Sequence, residues 1–502
     1  MCDHGGNVKS NESAMIRDAK SPPPNIVLIL LDDLGWRDLG CYGSSFYETP
    51  NLDHLAREGM IFSDAYAAAP VCSPTRASLL TGKYPARLGI TNYISWGGPS
   101  APERGRVICP PFVQHLALEE RSLAAAFHAG GYATWHIGKW HLGASPYYPE
   151  QHGFDVNIGG CEWGCPRTYF SPWGIPNLPE AEPGKYLTDH LTDEAVRLIR
   201  GRNRTRPFFL NLWHYAVHTP IQAPPELARK YEAKARRMGL DSRTALVPGE
   251  YMQCEHCRGL RVVRRIFQSD PNYAAMIENL DANIGRLLAV LDAEGLRDNT
   301  LVIFTSDNGG LSTAEGSPTC NRPLAEGKGW MYDGGTRIPL LARWPGVIPA
   351  GTTCTTPITS PDLYPTLLEA AGLEPLPAQH VDGISLLPLL RGEPAGEHLE
   401  NRAIFWHFPH YANQGGSPGA SVRLGAWKLI EFYENGLLEL YNLREDIGEN
   451  NNCAAAQPEL VAHLRGLLDA WRRDMRAQRP TPNPEFVPCG PAPIQPEVEF
   501  EK

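Results

Sequence analysis

Five short stretches of the chain place reactive side chains where a fold could bring them together. Asp32-Asp33 follows the apolar run 26–31, Lys139 and His141 follow 132–137, His214 and His218 follow 207–213, and Asp307-Asn308 follows 301–305. The fifth is Val71-Cys72-Ser73-Pro74-Thr75-Arg76. Asp32, Asp33, Asp307 and Asn308 offer only oxygen donors, which suit a hard cation such as calcium or magnesium better than zinc. Adjacent carboxylates without a cation would repel and push one pKa upward. Pro74 fits the first turn of a helix, and Gly82 fits its stop. Cys72 then lies at or just before a helix N-terminus, where backbone dipoles favour negative charge. Arg76 returns to the same face one turn deeper. A reactive position, a nearby cation and a separate oxygen-rich cluster together point to chemistry on an anion.

The elements that must position these groups can be read from the apolar pattern. Runs 26–31, 207–213 and 301–305 lack polar alternation, as strands buried on both faces do, and 132–137 is a weaker case. Helical patterns at 52–57, 123–129, 192–199 and 273–291 lie between them. The alternation predicts an α/β fold, a large doubly wound domain with a mostly parallel sheet. In such a sheet all strand carboxyl ends share one edge, so four polar clusters converge there. A Pro-, Gly- and Glu-rich stretch at 374–399 reads as a boundary. Beyond it, apolar stretches at 403–408, 422–430 and 436–441 and a helix at 459–475 predict a smaller C-terminal domain, an antiparallel sheet plus helix. The expected organisation is a disordered arm at 1–24, a catalytic domain at 25–395 with a polar insertion at 229–268, and a small domain at 396–502 whose Pro-rich tail wraps the surface.

Composition narrows the function classes. The chain has 502 residues, 42% hydrophobic and 20% charged, enough for a sizeable core. Its net charge of −10 disfavours nucleic acid as a partner, and the basic stretch 261–265 is short. The first apolar run is too short to span a membrane. The first 20 residues carry no apolar segment of the secretory kind, so a complete start implies a cytoplasmic protein and a trimmed start allows a periplasmic one. The 12 cysteines are scattered. Cys254 and Cys257, with Cys161 and Cys165 as a second pair, could form a zinc clasp, or they could be reduced thiols on loops.

Cys72-x-Pro74-x-Arg76, extended by Leu80-Thr81-Gly82-Lys83, resembles the signature of the type I, formylglycine-dependent sulfatases of the alkaline phosphatase superfamily. The resemblance continues through Asp32-Asp33-Leu34-Gly35-Trp36, Gly138-Lys139-Trp140-His141, His214 to Pro220, Ser306 to Gly310, and Gly327-Lys328-Gly329. It implies a sulfuric ester hydrolase in which a maturation enzyme converts Cys72 to formylglycine. A hydroxyl of the hydrated aldehyde would attack sulfur and give a transient sulfo-enzyme. Asp32, Asp33, Asp307, Asn308 and modified Cys72 would hold one calcium, with magnesium the alternative. Lys139 and Lys328 would hold sulfate oxygens, and His218 with Lys328 would protonate the leaving group. His141 would take the proton as sulfate leaves, Arg76 would orient the diol, and Asp307 would help deprotonate the attacking hydroxyl. The expected substrate is a sulfated saccharide or a small sulfate ester. Two other readings stay open: a phosphonate or phosphodiester hydrolase with the same nucleophile, which usually has histidine at the position of Asn308, and a non-catalytic binding protein. Trp163, Arg167, His214 and His407 mix rings and polar groups as sugar sites do, and are candidate substrate contacts.

Overall fold

The computed structural model describes residues 22–95, 105–254, 256 and 259–487. The arm at 1–21, Cys257 and the end of the tail lie outside the described residues. Strand Asn25–Leu31 runs at the centre of the large sheet and is buried along its length. It pairs in parallel with Phe208–Trp213 on one side and with Thr300–Ser306 on the other. Ala133–Gly138 and Val156–Ile158 extend the sheet in parallel beyond Phe208–Trp213. On the opposite flank Arg337–Arg343 pairs antiparallel with both Thr300–Ser306 and Met60–Tyr66.

Helices cover both faces of the sheet, so alternate residues of one strand serve two cores. Val27, Ile29 and Leu31 pack with Leu191, Tyr273, Ile277 and Ile284. Ile26, Leu28 and Leu30 pack with Leu79, Leu80, Phe127 and Leu367 on the other side. This is why the run lacks polar alternation: neither face meets water. The helices at Leu123–Ala129, Leu187–Arg200 and Pro271–Ala293 answer to the predicted ones.

The polar insertion holds more structure than its sequence promises. Helix Pro225–Arg237 buries Ala228, Tyr231 and Ala235 in the core shared with the long helix Pro271–Ala293. An antiparallel pair, Leu246–Tyr251 with Arg261–Arg265, follows. The antiparallel small sheet has the order Ala403–Phe408, Gly419–Leu424, Trp427–Phe432, Leu438–Asn442. The single apolar run at 422–430 is therefore two strands, turned at Gly425, which has a left-handed φ of 57°. Helix Pro458–Met475 covers one face through Leu464, Leu468 and Trp471. The other face, with Trp406, Ile430 and Phe432, packs on Tyr66, Val71, Trp330 and Met331. Those residues flank the Cys72 helix and Lys328, so the small sheet buttresses the working edge. Of the Pro-rich tail, Thr481–Pro482 pairs with Val107–Ile108. Among the described residues no helix is long and apolar enough to cross a membrane.

Candidate active site

The carboxyl ends of Asn25–Leu31 and Thr300–Ser306 are adjacent, so Asp32 and Asp33 meet Asp307 and Asn308. The Asp33 N–H donates to Asp307 Oδ1 at 3.3 Å, and Asn308 Nδ2 donates to Asp33 Oδ1 at 2.8 Å. Asp33 turns here with φ of 62°, a left-handed conformation that costs a non-glycine residue on the order of 1 kcal/mol or more. The close approach also needs Gly309, where an added Cβ would lie 1.8 Å from the Gly334 carbonyl oxygen.

Cys72 begins a ten-residue helix that is buried throughout and ends at Gly82, φ 68°. Arg76 lies beneath it with no solvent exposure. Its guanidinium donates to Asp307 Oδ2 at 2.9 Å and to the Lys139 carbonyl at 3.0 Å, tying the Cys72 helix to two strand ends. One donor atom each from Asp32, Cys72 and Asp307 lies within 4.8 Å of the other two; the same holds for Asp32, Asp33 and His218.

Two lysines complete the cluster. Lys139 Nζ reaches Asp32 Oδ2 at 2.6 Å, with both side chains fully buried. Lys328 Nζ donates to Asp33 at 2.8 Å and stands 3.0 Å from His218 Nε2. His141, in a left-handed turn with φ of 58°, places Nδ1 3.4 Å from Cys72 Sγ while its Nε2 meets the Ile94 carbonyl at 2.6 Å. Gly164 lies flat against that imidazole; a Cβ there would sit 2.7 Å from the ring.

Burial and neighbouring charge set the protonation tendencies. Burial, then Asp32, pushes Asp307 up to about 6. Burial also pushes Asp32 up, against the pull of Lys139. Asp33 is held well below the usual carboxylate range, because Lys328 and His218 outweigh its burial. Burial and then Lys328 lower His218 to about 4, and burial and then Lys139 hold His141 well below its ordinary value.

Asp32 Oδ1 and Asn308 Oδ1 are buried and have no hydrogen-bond partner. An orphaned buried acceptor is costly, and two of them beside further carboxylate oxygens fit a divalent cation. The oxygen-only donor set formed by Asp32, Asp33, Asp307 and Asn308 suits a hard ion.

Above the cluster opens a cleft of about 390 Å³. Cys72, His141, His218 and Lys328 form part of its lining; Trp163 and Arg167 lie on its wall. The remaining candidate contacts are elsewhere. His214 is fully buried with neither ring nitrogen partnered. His407 belongs to the small sheet and bonds the Tyr433 hydroxyl and the Gln478 carbonyl. Neither lines the cleft. Sequence reading passed over Tyr93, Glu162, Glu315, Asn413 and Gln414, which do. Only Glu162, beside Trp163, had a signal nearby; Glu315 and Asn413 arrive from loops distant in sequence.

The zinc clasp does not assemble among the described residues. Cys161 packs in the large core near Tyr215, whereas Cys254 packs with Val107 and Tyr411. A larger cavity of about 680 Å³ lies away from the reactive cluster, between Arg264, Glu326 and Glu449.

A family model described as Sulfatase matches residues 24–373, and one described as N-sulphoglucosamine sulphohydrolase, C-terminal, matches 326–474. The chain belongs to the sulfatase family. It is a sulfuric ester hydrolase, and the family implies a metal ion at the acidic cluster. A sulfatase of Formosa agariphila is 32% identical over 91% of this chain and 90% of that protein. Human N-acetylgalactosamine-6-sulfatase is 34% identical over 77% of this chain and 68% of its own length. The crystal structure of Ps i-CgsB in complex with k-i-k-neocarrahexaose superposes with a TM-score of 0.71 and 29% identity, covering 93% of this chain and 95% of that one.

Proposed function

We propose that this sulfatase hydrolyses a sulfate monoester of a carbohydrate through a formylglycine made from Cys72. The single observation that carries the reading is the placement of residue 72. Its sulfur lies among the carboxylates of Asp32 and Asp307, with Lys139, His141, His218 and Lys328 around it. The relatives lend the substrate class: one is named for N-acetylgalactosamine 6-sulfate, and one structure holds a neocarrahexaose.

In this reading the Cys72 thiol marks where the hydrated aldehyde of the matured enzyme stands. A maturation enzyme must act before the buried helix closes, because the residue is 3% exposed in the fold. Asp32, Asp33, Asp307 and Asn308 would hold the metal ion, with calcium favoured by the family resemblance. When bound, the ion would supply positive charge and Lewis acidity to the site.

The chain's own residues then divide the work. Lys328, on the cleft lining, and Lys139, buried behind it on Asp32, would attract the anionic ester, each attraction being on the order of 4 kcal/mol at 4 Å and an effective dielectric near 20 before desolvation. Arg76 fixes Asp307, which takes the proton of the attacking hydroxyl. That oxygen bonds to sulfur as the sugar oxygen leaves, and the His218–Lys328 pair, in contact at 3.0 Å, supplies the proton to the sugar oxygen. His141 removes the proton of the second hydroxyl. The carbon–oxygen bond to sulfate breaks, sulfate leaves and the aldehyde returns, to be hydrated again by water.

The test compares release of sulfate from 4-nitrophenyl sulfate with hydrolysis of bis(4-nitrophenyl) phosphate, alongside peptide mass spectrometry of residue 72. Sulfate release dominates, and the Cys72 peptide carries the mass of formylglycine. A dominant phosphodiester rate, or an unmodified thiol with no turnover, would remove the proposal. Cys72→Ala abolishes sulfate release.

A further inference from the structure

Beyond the groups around the sulfate that reacts, Arg167 is a further cation on the cleft wall among the described residues. We infer that Arg167, stacked on Trp163, forms a second anion subsite that receives another sulfate or carboxylate of the same substrate. This rests on the proposed sulfatase reading and narrows its substrate to polyanionic saccharides.

The Arg167 guanidinium carbon lies 4.7 Å from the centre of the Trp163 ring. Stacking of this kind orients the plane and leaves the in-plane N–H fork free. No carboxylate among the described residues forms an ion pair with Arg167, although Glu162 and Glu315 line the same cleft. Those two carboxylates are engaged otherwise. Glu162 accepts from the Tyr148 hydroxyl at 2.7 Å. Glu315 accepts from Asn413 Nδ2 and Gln414 Nε2, each at 2.9 Å. The wall therefore carries a guanidinium over a ring face, with no carboxylate partner among the described residues, beside carboxylates that accept from neutral donors. Its fork matches the paired oxygens of a sulfate or a carboxylate.

The segment bearing Arg167 is also braced against the reaction centre. Three residues before it, Gly164 packs on the His141 ring. Two residues after it, the Tyr169 hydroxyl donates to the Tyr215 carbonyl at 2.7 Å and to the His218 carbonyl at 2.9 Å. Thr168 Oγ1 and the Tyr169 N–H both donate to Gln222 Oε1. A subsite anchored to both catalytic histidines keeps a fixed offset from the sulfate being cleaved. That offset lets it select a substitution pattern on the saccharide.

Calorimetry on the purified full-length protein carrying Cys72→Ala, the uncleaving background for every comparison below, tests this with three ligands: a galactosaminide with one sulfate, the same sugar with two sulfates, and the once-sulfated sugar joined to a uronic acid. With Arg167 intact, the protein binds at least one of the two doubly charged ligands tenfold or more tighter than the singly charged one, and the ligand preferred tells sulfate from carboxylate. The preference weakens between 50 and 300 mM salt. In Arg167→Met the ratio falls below threefold, and in Arg167→Lys it is intermediate. Using a ratio within each protein cancels any loss of folded material. Equal affinity for all three with Arg167 intact, or an unchanged ratio in Arg167→Met, overturns the subsite. Calorimetry needs no turnover, so absence of sulfate release would count against the sulfatase reading alone.

Discussion

Two of the buried charge clusters among the described residues differ in completeness. In the interior, Lys428 donates to Asp333 at 2.8 Å and to Glu449 at 2.9 Å, with all three side chains nearly or wholly buried. The Tyr66 hydroxyl and the Asp333 N–H occupy the remaining oxygens of Asp333 and Glu449. At the sheet edge, by contrast, Asp32 Oδ1 and Asn308 Oδ1 have no hydrogen-bond partner. A saturated cluster joins two sheets. An unsaturated one, equally buried, is built around something the chain does not supply. Buried charge alone is thus a poor guide to function; the unfilled valence distinguishes the two.

The comparison breaks most readily at Asp307. Asp307→Ala is expected to lower sulfate release by about a thousandfold or more and to strip the metal, read by elemental analysis of the purified protein. Full metal content in that variant would mean that the orphaned oxygens are not a cation site. Lys428→Met should behave in the opposite way. It leaves Asp333 and Glu449 uncompensated and should cost about 3–5 kcal/mol in urea unfolding, with metal content unchanged. Loss of metal without loss of stability would erase the distinction between the clusters.

A smaller effect concerns the neutral histidines that pack around both regions. Burial lowers His136 and His214 to about 3 and His407 to about 4. The folded chain therefore binds fewer protons than the unfolded chain below the ordinary histidine pKa near 6.5. Their contribution is complete above that pH and is lost as pH falls toward 4 and 3. Melting temperature should drop steadily from pH 7 to pH 5. His407→Gln should flatten the curve by one proton, about 1.4 kcal/mol per pH unit. An unchanged slope would show that His407 is protonated in the fold.

The strand-end clusters were legible because each buried run ends abruptly in polar residues, and a parallel sheet forces those ends together. Strand Arg337–Arg343 was harder to see, since arginines bound it and it runs antiparallel. Met60–Tyr66 mixes buried and half-buried positions, which blurs both periodicities. Trp163 and Arg167, whose local mixture of ring and charge is visible in the sequence, lie on the cleft wall. His214 and His407 carried the same local mixture, yet tertiary packing turned them inward. Glu315 and Asn413 had no local signal, because only the folded chain makes them neighbours.

The antiparallel strand has one further consequence. Thr300–Ser306 ends at the working edge and Arg337–Arg343 begins there, so the chain between them departs from and returns to the same side of the sheet. Lys328 rides on that excursion. Its two feet are pinned while its middle forms part of the cleft wall. The part around Glu315 can therefore change in length or composition at the cleft wall while the two feet, and Lys328 close to the second, stay in place.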